Sequence, residues 1–418
     1  MRNEELDFMI HDRSVQQQLA AGYRRYLLED VMPFWELRTK DPRFVGFLTD
    51  FDREGQLTST DKNMWLHGRQ VWMFSALYNY VEKRAEWLNL AIWGREFIKR
   101  YGDAGGGKWH YILTRQGEVI QGPVSIFADM FVLLGLSEFA IAANTTEDFA
   151  NIIETFGHIE RKVLAGELKN VAPMSWNPKL KKHGIYMICL NMIAAVRKVL
   201  GEERVAPLRD HCLDAIMETF VKKDSLLLYE AVDLAGNVED SAEGMLINPG
   251  HTFESMWFCM EEGIRAGKPA IVQLAAQVVC KMLERSWDEQ YGGIYYMLDA
   301  RGGKPSFQDW VPGRELQSNE KVWWTHAEAL YAVLLASTAT GNERLGAKFV
   351  QLSDWCWNRF HDKVYGEWYY VLHREGLPRL TNKGGFQKAG FHLPRALLKI
   401  HLLLKHGIAK DQPWFQTL

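Results

Sequence analysis

Tyr365 to Leu377 reads YGEWYYVLHREGL, and the same construction recurs at four other places in the chain. Arg43 to Leu57 gives RFVGFLTDFDREGQL, and Gly107 to Val119 gives GKWHYILTRQGEV. Leu226 to Val238 gives LLLYEAVDLAGNV, and Tyr291 to Gly303 gives YGGIYYMLDARGG. An aromatic and β-branched run that enters a charged turn closed by Gly is a β-hairpin signal. Successive copies start roughly 60–75 residues apart, with one gap of about twice that, and so long a fixed period marks a repeat architecture. The gap leaves room for a sixth, degenerate copy near Val171–Pro178.

Between the hairpins, apolar residues recur at three- and four-residue spacing, which predicts helices. The predicted spans are 14–38, 67–83, 85–101, 124–144, 147–165, 184–200, 205–222, 251–266, 269–286, 323–340, 344–360 and 392–406. Asn144-Thr145-Thr146 and Gly341-Asn342 are candidate capping signals. Six helix pairs with one hairpin per pair predict an all-α fold, a closed (α/α)6 barrel or toroid with short β-hairpins in the inter-helix loops. The alternative, an open helical solenoid, usually repeats at ~33–47 residues. No Pro/Ser-rich linker divides the chain, so residues 1–418 are expected to form a single catalytic domain.

Composition narrows the function classes. Lys plus Arg is 49 against 52 Asp plus Glu, a net charge of −3, which argues against a nucleic-acid partner. The chain is 47% hydrophobic, enough to bury a core rather than remain disordered. It has 16 Trp, and Trp suits both a large core and a sugar-stacking surface. No uninterrupted apolar run reaches the ~18 residues of a membrane span. The charged opening MRNEELDFMIHDR predicts no secretory leader. Cys189, Cys212, Cys259, Cys280 and Cys356 show no CxxC spacing and read as unpaired thiols of a cytoplasmic protein.

Several chemistries fit poorly. No HExxH, CxxC or Asp-rich Ca2+ loop is present, and His401 and His406 lie five apart, so no metal is expected. Gly102 to Lys108, GDAGGGK, matches GxxxxGK, but Trp109 stands where a P-loop needs Ser or Thr. The segment also leads from a helix into a strand, the reverse of the P-loop setting. There is no GxSxG, and the adjacent His211 and Cys212 of a helix point ~100° apart.

What remains gathers at predicted helix starts, after loops. Asn248-Pro249-Gly250-His251 precedes TFESMWF, which carries Glu254; Phe391-His392-Leu393-Pro394-Arg395 repeats the pattern. Trp323-Trp324-Thr325-His326-Ala327-Glu328 opens a third helix, and His67-Gly68-Arg69-Gln70, followed by Val71-Trp72, opens a fourth. Each has a structural alternative: such a His can be a cap or a buried hydrogen-bonder, and Arg69 can pair with a nearby carboxylate. Taken together, these positions share one point of the repeat, and in a closed toroid they converge on the axis as polar groups in an aromatic-lined pocket. The chemistry they suit is proton transfer. His titrates near neutrality, two His can serve opposite faces of a flat intermediate, and Arg69 can hold a developing oxyanion. Glu328 could polarise a hydroxyl or orient a His.

The stretches LHGRQVWMFSALY, YILTRQGEV with IFADMF, NPGHTFESMWF, WDEQYGGIYYMLDA, KVWWTHAEAL and YGEWYYVLHREG with KGGFQKAGFHLPRA resemble the N-acylglucosamine 2-epimerase (renin-binding protein) family, in the family's order, from about residue 65 to 396. The resemblance implies an (α/α)6 barrel and reversible epimerisation at C2 of a sugar, N-acetyl-D-glucosamine to N-acetyl-D-mannosamine. The sugar ring opens, and C2 is deprotonated and then reprotonated. His251 and His392 match the family's acid/base pair, and Arg69 and Glu328 match its Arg and Glu. Glu254, Trp324, His326 and Trp72 are expected to bind substrate. The resemblance also implies a homodimer and ATP as an allosteric activator, with no cofactor required for the chemistry. The segment 172–187, the stretch after Gly303 and the run before His392 depart from the N-acetyl-sugar epimerases. Mannose or cellobiose 2-epimerase, or an aldose–ketose isomerase, is therefore the alternative. A non-catalytic binding protein is a weaker one, and a glycoside hydrolase would leave the His pair unexplained.

Overall fold

Twelve helices alternate between an inner and an outer ring in a computed structural model that describes residues 10, 12–168, 177–303, 316–385, 387–408 and 415. Helix α1 runs Arg13–Arg25, passes through a π-helical turn at Tyr26–Val31, and ends as Met32–Arg38. The others are α2 (Met64–Tyr80), α3 (Ala85–Phe97), α4 (Ile126–Ala142), α5 (Phe149–Leu164), α6 (Gly184–Leu200) and α7 (Glu202–Asp214). They continue as α8 (Pro249–Arg265), α9 (Pro269–Ser286), α10 (Trp323–Thr340), α11 (Glu343–Arg359) and α12 (His392–His406).

The even-numbered helices pack in sequence, α2 on α4, then α6, α8, α10 and α12, and α12 returns to α2. That closes the barrel. The sixth pair joins the two ends of the chain. Helix α1 lies on α12, where Arg13 donates to Lys405 O at 2.7 Å and His401 Nδ1 meets Ala20 O at 2.8 Å.

Burial distinguishes the two rings. Outer helices are amphipathic: α5 buries Ile152, Thr155, Phe156, Ile159 and Val163, one stripe at helical spacing. Inner helices are covered on every side, and α4 is buried almost throughout from Phe127 to Ala140. The α2–α4 crossing is close enough to demand glycine. A Cβ on Gly68 would lie 2.1 Å from Phe131 O, and one on Gly135 would lie 2.5 Å from Gly68 O.

The strands cluster where the inner helices begin. Lys62–Asn63, ahead of α2, pairs with Ile112–Leu113, which pairs in turn with Val119–Gln121. Lys321–Val322, ahead of α10, pairs with Val371–Leu372, which pairs with Pro378–Leu380. These hairpins and Asp50–Phe51 with Leu57–Ser59 are the predicted ones. Two copies differ from expectation. Ala231–Asp233 pairs with Leu180–Lys182, and Leu298–Asp299 pairs with Leu246–Ile247. In both, the strand is stitched to the approach of the preceding inner helix, because tertiary contact outweighs the local turn. The sixth copy, expected near Val171–Pro178, lies through residue 176 outside the described residues.

One ion-pair arrangement repeats three times at this end. Asp41 takes Lys62 at 3.0 Å and Arg115 at 2.7 Å; Asp288 takes Lys321 at 3.2 Å and Arg374 at 2.8 Å. Asp362 takes Lys383 at 3.1 Å and Arg53 at 2.8 Å. Burial pushes each carboxyl up, but the Arg and Lys partners more than offset it, so each sits well below the usual carboxylate range. Each hub ties an outer-helix end, an inner-helix approach and a hairpin turn together. Losing the Asp would leave its buried Lys without its ion-pair partner, at a cost of ~3–5 kcal/mol.

Capping follows the sequence in part. Asn342 caps α11 through Leu345 N, and Gly341 closes α10 at φ 69°. Asn144–Thr146 do not cap α5, whose N-cap position is Asp148; Thr145 instead turns back to Glu147 N.

Candidate active site

Asn248 begins α8 by accepting from His251 N at 3.2 Å, with Pro249 at the first helical position. From there His251, Glu254, Phe258 and Glu261 lie on one face, since a helix turns ~100° per residue. On α10 the matching face carries Trp324, Glu328 and Tyr331, and on α12 it carries His392, Arg395 and Lys399. Contacts between these side chains form a column of polar residues.

At the mouth, the Trp324 ring lies 5.2 Å from the His251 ring and 5.7 Å from the His392 ring. One layer down, Glu328 Oε1 meets His392 Nδ1 at 2.6 Å and Arg395 Nη2 at 2.7 Å, while Trp257 Nε1 donates to Glu328 Oε2 at 2.8 Å. The same Arg395 donates to Glu254 Oε1 at 2.5 Å and to Asn191 Oδ1 at 3.2 Å. Deeper still, Lys399 donates to Glu261 at 2.8 Å, as does the Tyr331 hydroxyl at 2.6 Å.

His251 is held from the other side. Its Nδ1 lies 2.9 Å from Glu230 Oε2, and Glu230 Oε1 lies 3.7 Å from His183 Nδ1. His183 Nε2 sits 2.5 Å from Ser255 Oγ. Both axial imidazoles thus meet a carboxylate through Nδ1, which directs Nε2 away from it. Burial lowers the affinity of His251 for a proton, but the charge and hydrogen bond of Glu230, helped by Glu254 and Glu328, raise its pKa overall. Burial, joined by the charges of Arg69 and Arg395, drives His392 well below the ordinary value. The two imidazoles are therefore shifted in opposite directions.

Arg69 reaches the same region from α2, where its guanidinium is boxed by the rings of Phe131 at 4.1 Å, Trp65 at 4.8 Å and Phe391 at 4.9 Å. Trp72 meets Phe391 edge-on at 5.5 Å. Among the described residues no carboxylate pairs with Arg69, and its Nε has no hydrogen-bond partner. Burial lowers its pKa to about 9. Glu254 and Glu328 act on it only at a distance; a buried cation without a direct ion pair is costly, and it is suited to an oxyanion that appears during a reaction.

One expectation changes, and one alternative is decided. His326 does not reach the axis. It lies two residues, and so ~200°, around α10 from Trp324. Its Nε2 accepts from Ile294 N at 2.9 Å, its Nδ1 meets Val322 O at 2.8 Å, and its ring stacks on Trp355. Burial lowers its pKa to about 3, so it is a neutral structural imidazole. His67 plays the same part on α2, accepting from Phe47 N at 2.9 Å. Glu328, for its part, orients His392 and has both oxygens engaged by protein donors. The structure brings together His251, His392, Glu328, Glu254, Trp324, Arg69 and Trp72.

Glu230, His183 and Asn191 are additions from the structure, and Arg395, quoted above only as part of the helix start after Phe391, gains a role. Arg395 had a signal, three residues after His392 and so on the same helix face. Glu230 had a weaker one, as the single acid within LLLYEAV.

Two trios carry donors close enough to suit a metal ion, His183–Glu230–His251 and Glu254–Glu328–His392. In the second, the Arg395 guanidinium already bridges the two carboxylates. In the first, Glu230 and Ser255 engage the imidazoles. The donor sets read as hydrogen-bonded networks.

Residues 46–394 match the family model of N-acylglucosamine 2-epimerase. The chain is 31% identical over 397 residues to N-acylglucosamine 2-epimerase of Homo sapiens, covering 92% of this chain and 90% of that one. It is 24% identical over 407 residues to cellobiose 2-epimerase of Dictyoglomus turgidum, covering 90% and 96%. Among solved structures, a sugar epimerase from a ruminal bacterium superposes with a TM-score of 0.79 at 21% identity, covering 94% of this chain and 100% of that one. A D-mannose isomerase superposes with a TM-score of 0.78 at 18% identity, covering 91% and 97%. These likenesses carry the (α/α)6 fold.

Proposed function

This chain belongs to the N-acylglucosamine 2-epimerase family, and on that premise we propose that it is a sugar 2-epimerase interconverting N-acetyl-D-glucosamine and N-acetyl-D-mannosamine. The observation that carries this reading is the pair of carboxylate-oriented imidazoles, His251 and His392, both beside the Trp324 ring and shifted in opposite directions. The N-acetyl sugar is preferred because the N-acylglucosamine 2-epimerase is 31% identical and the cellobiose enzyme 24%.

The open-chain aldehyde makes the C2 proton acidic. Neutral His392 takes it through Nε2, and the electron pair moves onto the carbonyl oxygen at C1. Arg69 faces that oxyanion, a contribution typically worth ~3–4 kcal/mol. Protonated His251 then returns a proton to the opposite face of C2, which inverts the centre. In the reverse direction the two His exchange roles. Glu328 keeps Nδ1 of His392 occupied so that Nε2 remains the basic atom. Trp324 and Trp72 supply aromatic surface to the sugar.

No step in this scheme consumes ATP, so a nucleotide enters the reading as an activating effector only. The five free thiols support a reducing, cytoplasmic setting, and no helix among the described residues is long and apolar enough to cross a membrane. The expected assembly is a homodimer, read by light scattering. The test of function is proton NMR in D2O with N-acetylglucosamine, mannose and cellobiose separately, each with and without ATP. Deuterium at C2 with the C2 epimer of N-acetylglucosamine supports the reading. Epimerisation confined to mannose or cellobiose would move the substrate class, and ketose formation would make the chain an isomerase.

A further inference from the structure

We propose that Glu230 is the positioning residue of His251, and that the two carboxylate–imidazole pairs differ in counter-charge so that the resting enzyme keeps its mobile proton on His251. The inference rests on the two-His reading above.

The backbone of Glu230 is fixed from two sides. His183 N donates to Glu230 O at 3.1 Å, and Glu230 N donates to Leu246 O at 3.4 Å. The first bond ties it to the start of α6, and the second ties it to the strand that leads into α8. Ala231–Asp233, immediately after it, is paired with Leu180–Lys182. The side chain is therefore delivered to His251 by a frame that local sequence does not reveal. It makes its 2.9 Å contact with Nδ1 at a separation of 21 residues.

The two pairs look alike but are balanced differently. Glu328 is shared with the Arg395 cation and the Trp257 N–H as well as His392. Arg395 also holds Glu254, and Arg69 is a second cation close by, so these two carboxylates face two cations. Among the described residues, no Lys or Arg pairs with Glu230. Its other oxygen faces Nδ1 of His183 at 3.7 Å, beyond hydrogen-bond reach, and His183 is itself held neutral by burial. Among the described residues, the charged or titratable groups facing His251 include Glu230 from the α7–α8 connection, His183 at the start of α6, Glu254 on its own helix, Glu328 from α10 and His392 from α12. Three of these are acidic. A proton on His251 neutralises Glu230, whereas a proton on His392 adds positive charge beside Arg69 and Arg395. Electrostatics thus places it on His251.

The test is Glu230→Gln, which keeps the shape and the ability to accept from Nδ1–H while removing the charge, with Glu230→Asp as the conservative variant. The His251 imidazole is titrated by NMR in the wild type and both variants, assigned with His251→Asn. We expect Glu230→Gln to move the His251 midpoint down by about one pH unit or more, the scale of losing one close charge. The alkaline limb of the kcat/KM profile is expected to move with it, kcat to fall ~10–100-fold with KM changed little, and Glu230→Asp to recover part of both. An unchanged His251 midpoint in a folded Glu230→Gln variant would overturn the proposal. So would a fall in kcat with no movement of the profile, which marks a structural role. If the wild type epimerises no sugar, the two-His reading fails, and the NMR titration still decides what Glu230 does to His251.

Discussion

Replacing Arg69 with Met is expected to stabilise the fold while nearly abolishing turnover. Burial brings the Arg69 pKa down from the usual guanidinium range to about 9. At ~1.4 kcal/mol per pH unit, keeping the group charged at neutral pH costs the folded state about 5 kcal/mol. The sign is that of a base whose folded pKa is depressed: the cost is fully present below about pH 9 and is relieved only above it. The three rings of the box return part of this, at ~0.5–2 kcal/mol for each cation–π contact, or about 3 kcal/mol together. Met occupies a similar volume and packs well against aromatic rings. The net gain is about 2 kcal/mol, in line with exchanges of buried charge for apolar side chains. A chain of this length unfolds with an entropy of about 0.9 kcal/mol/K, so Tm should rise by about 2 °C. Loss of the oxyanion partner should lower C2 proton exchange by ~10²–10³. Calorimetry and deuterium exchange on the same preparation read both quantities. A Tm lowered by several degrees would show that the aromatic box stabilises the cation outright and refute the reasoning. Unchanged exchange would remove Arg69 from the chemistry.

Other expectations follow from the same geometry. His251→Asn and His392→Asn should each cut C2 exchange at least ~10²–10⁴-fold with little change in Tm, as losing an acid or base requires; either variant retaining near-wild-type exchange would dismiss that imidazole. Gly68→Ala would place a Cβ 2.1 Å from Phe131 O, so a loss of about 3 kcal/mol or more is expected, together with reduced activity because Phe131 walls Arg69. Denaturant titration reads the first effect. His67 and His326 are pushed by burial to about 3, and His401 to about 4. Their depressed pKa values mean that stability is lost as pH falls below the ordinary His value near 6.5. By pH 5 each should cost about 2 kcal/mol, and denaturant midpoints at pH 7 and pH 5 check it.

The helices were largely legible in the sequence because local signals carry them. Spans 184–200, 269–286, 323–340 and 392–406 coincide with α6, α9, α10 and α12. The amphipathic outer helices declare their buried stripe. The inner helices do not, because a helix apolar on all sides has no polar face to mark the axis. That is why Trp324 and His326, two residues apart, could not be told apart as inward and outward. The position of Glu328 was legible, and the sequence left two roles open to it; the choice between them depends on His392, Arg395 and Trp257 from other helices.

By itself, the sequence determined the repeat, the pairing of helices into a closed ring, and the residues His251, His392 and Arg69 at helix starts. Each is written in periodicity, spacing and residue type within one unit of the chain. Only the tertiary structure decided which face of each inner helix meets the axis, which carboxylate serves which imidazole, and that Arg69 makes no direct ion pair among the described residues. Those depend on helix rotation and on contacts between units far apart in sequence. The Glu230–His251 and Glu328–His392 pairs have almost the same local geometry. What distinguishes them is the charge around them, which is set by Arg395 and Arg69 arriving from α12 and α2.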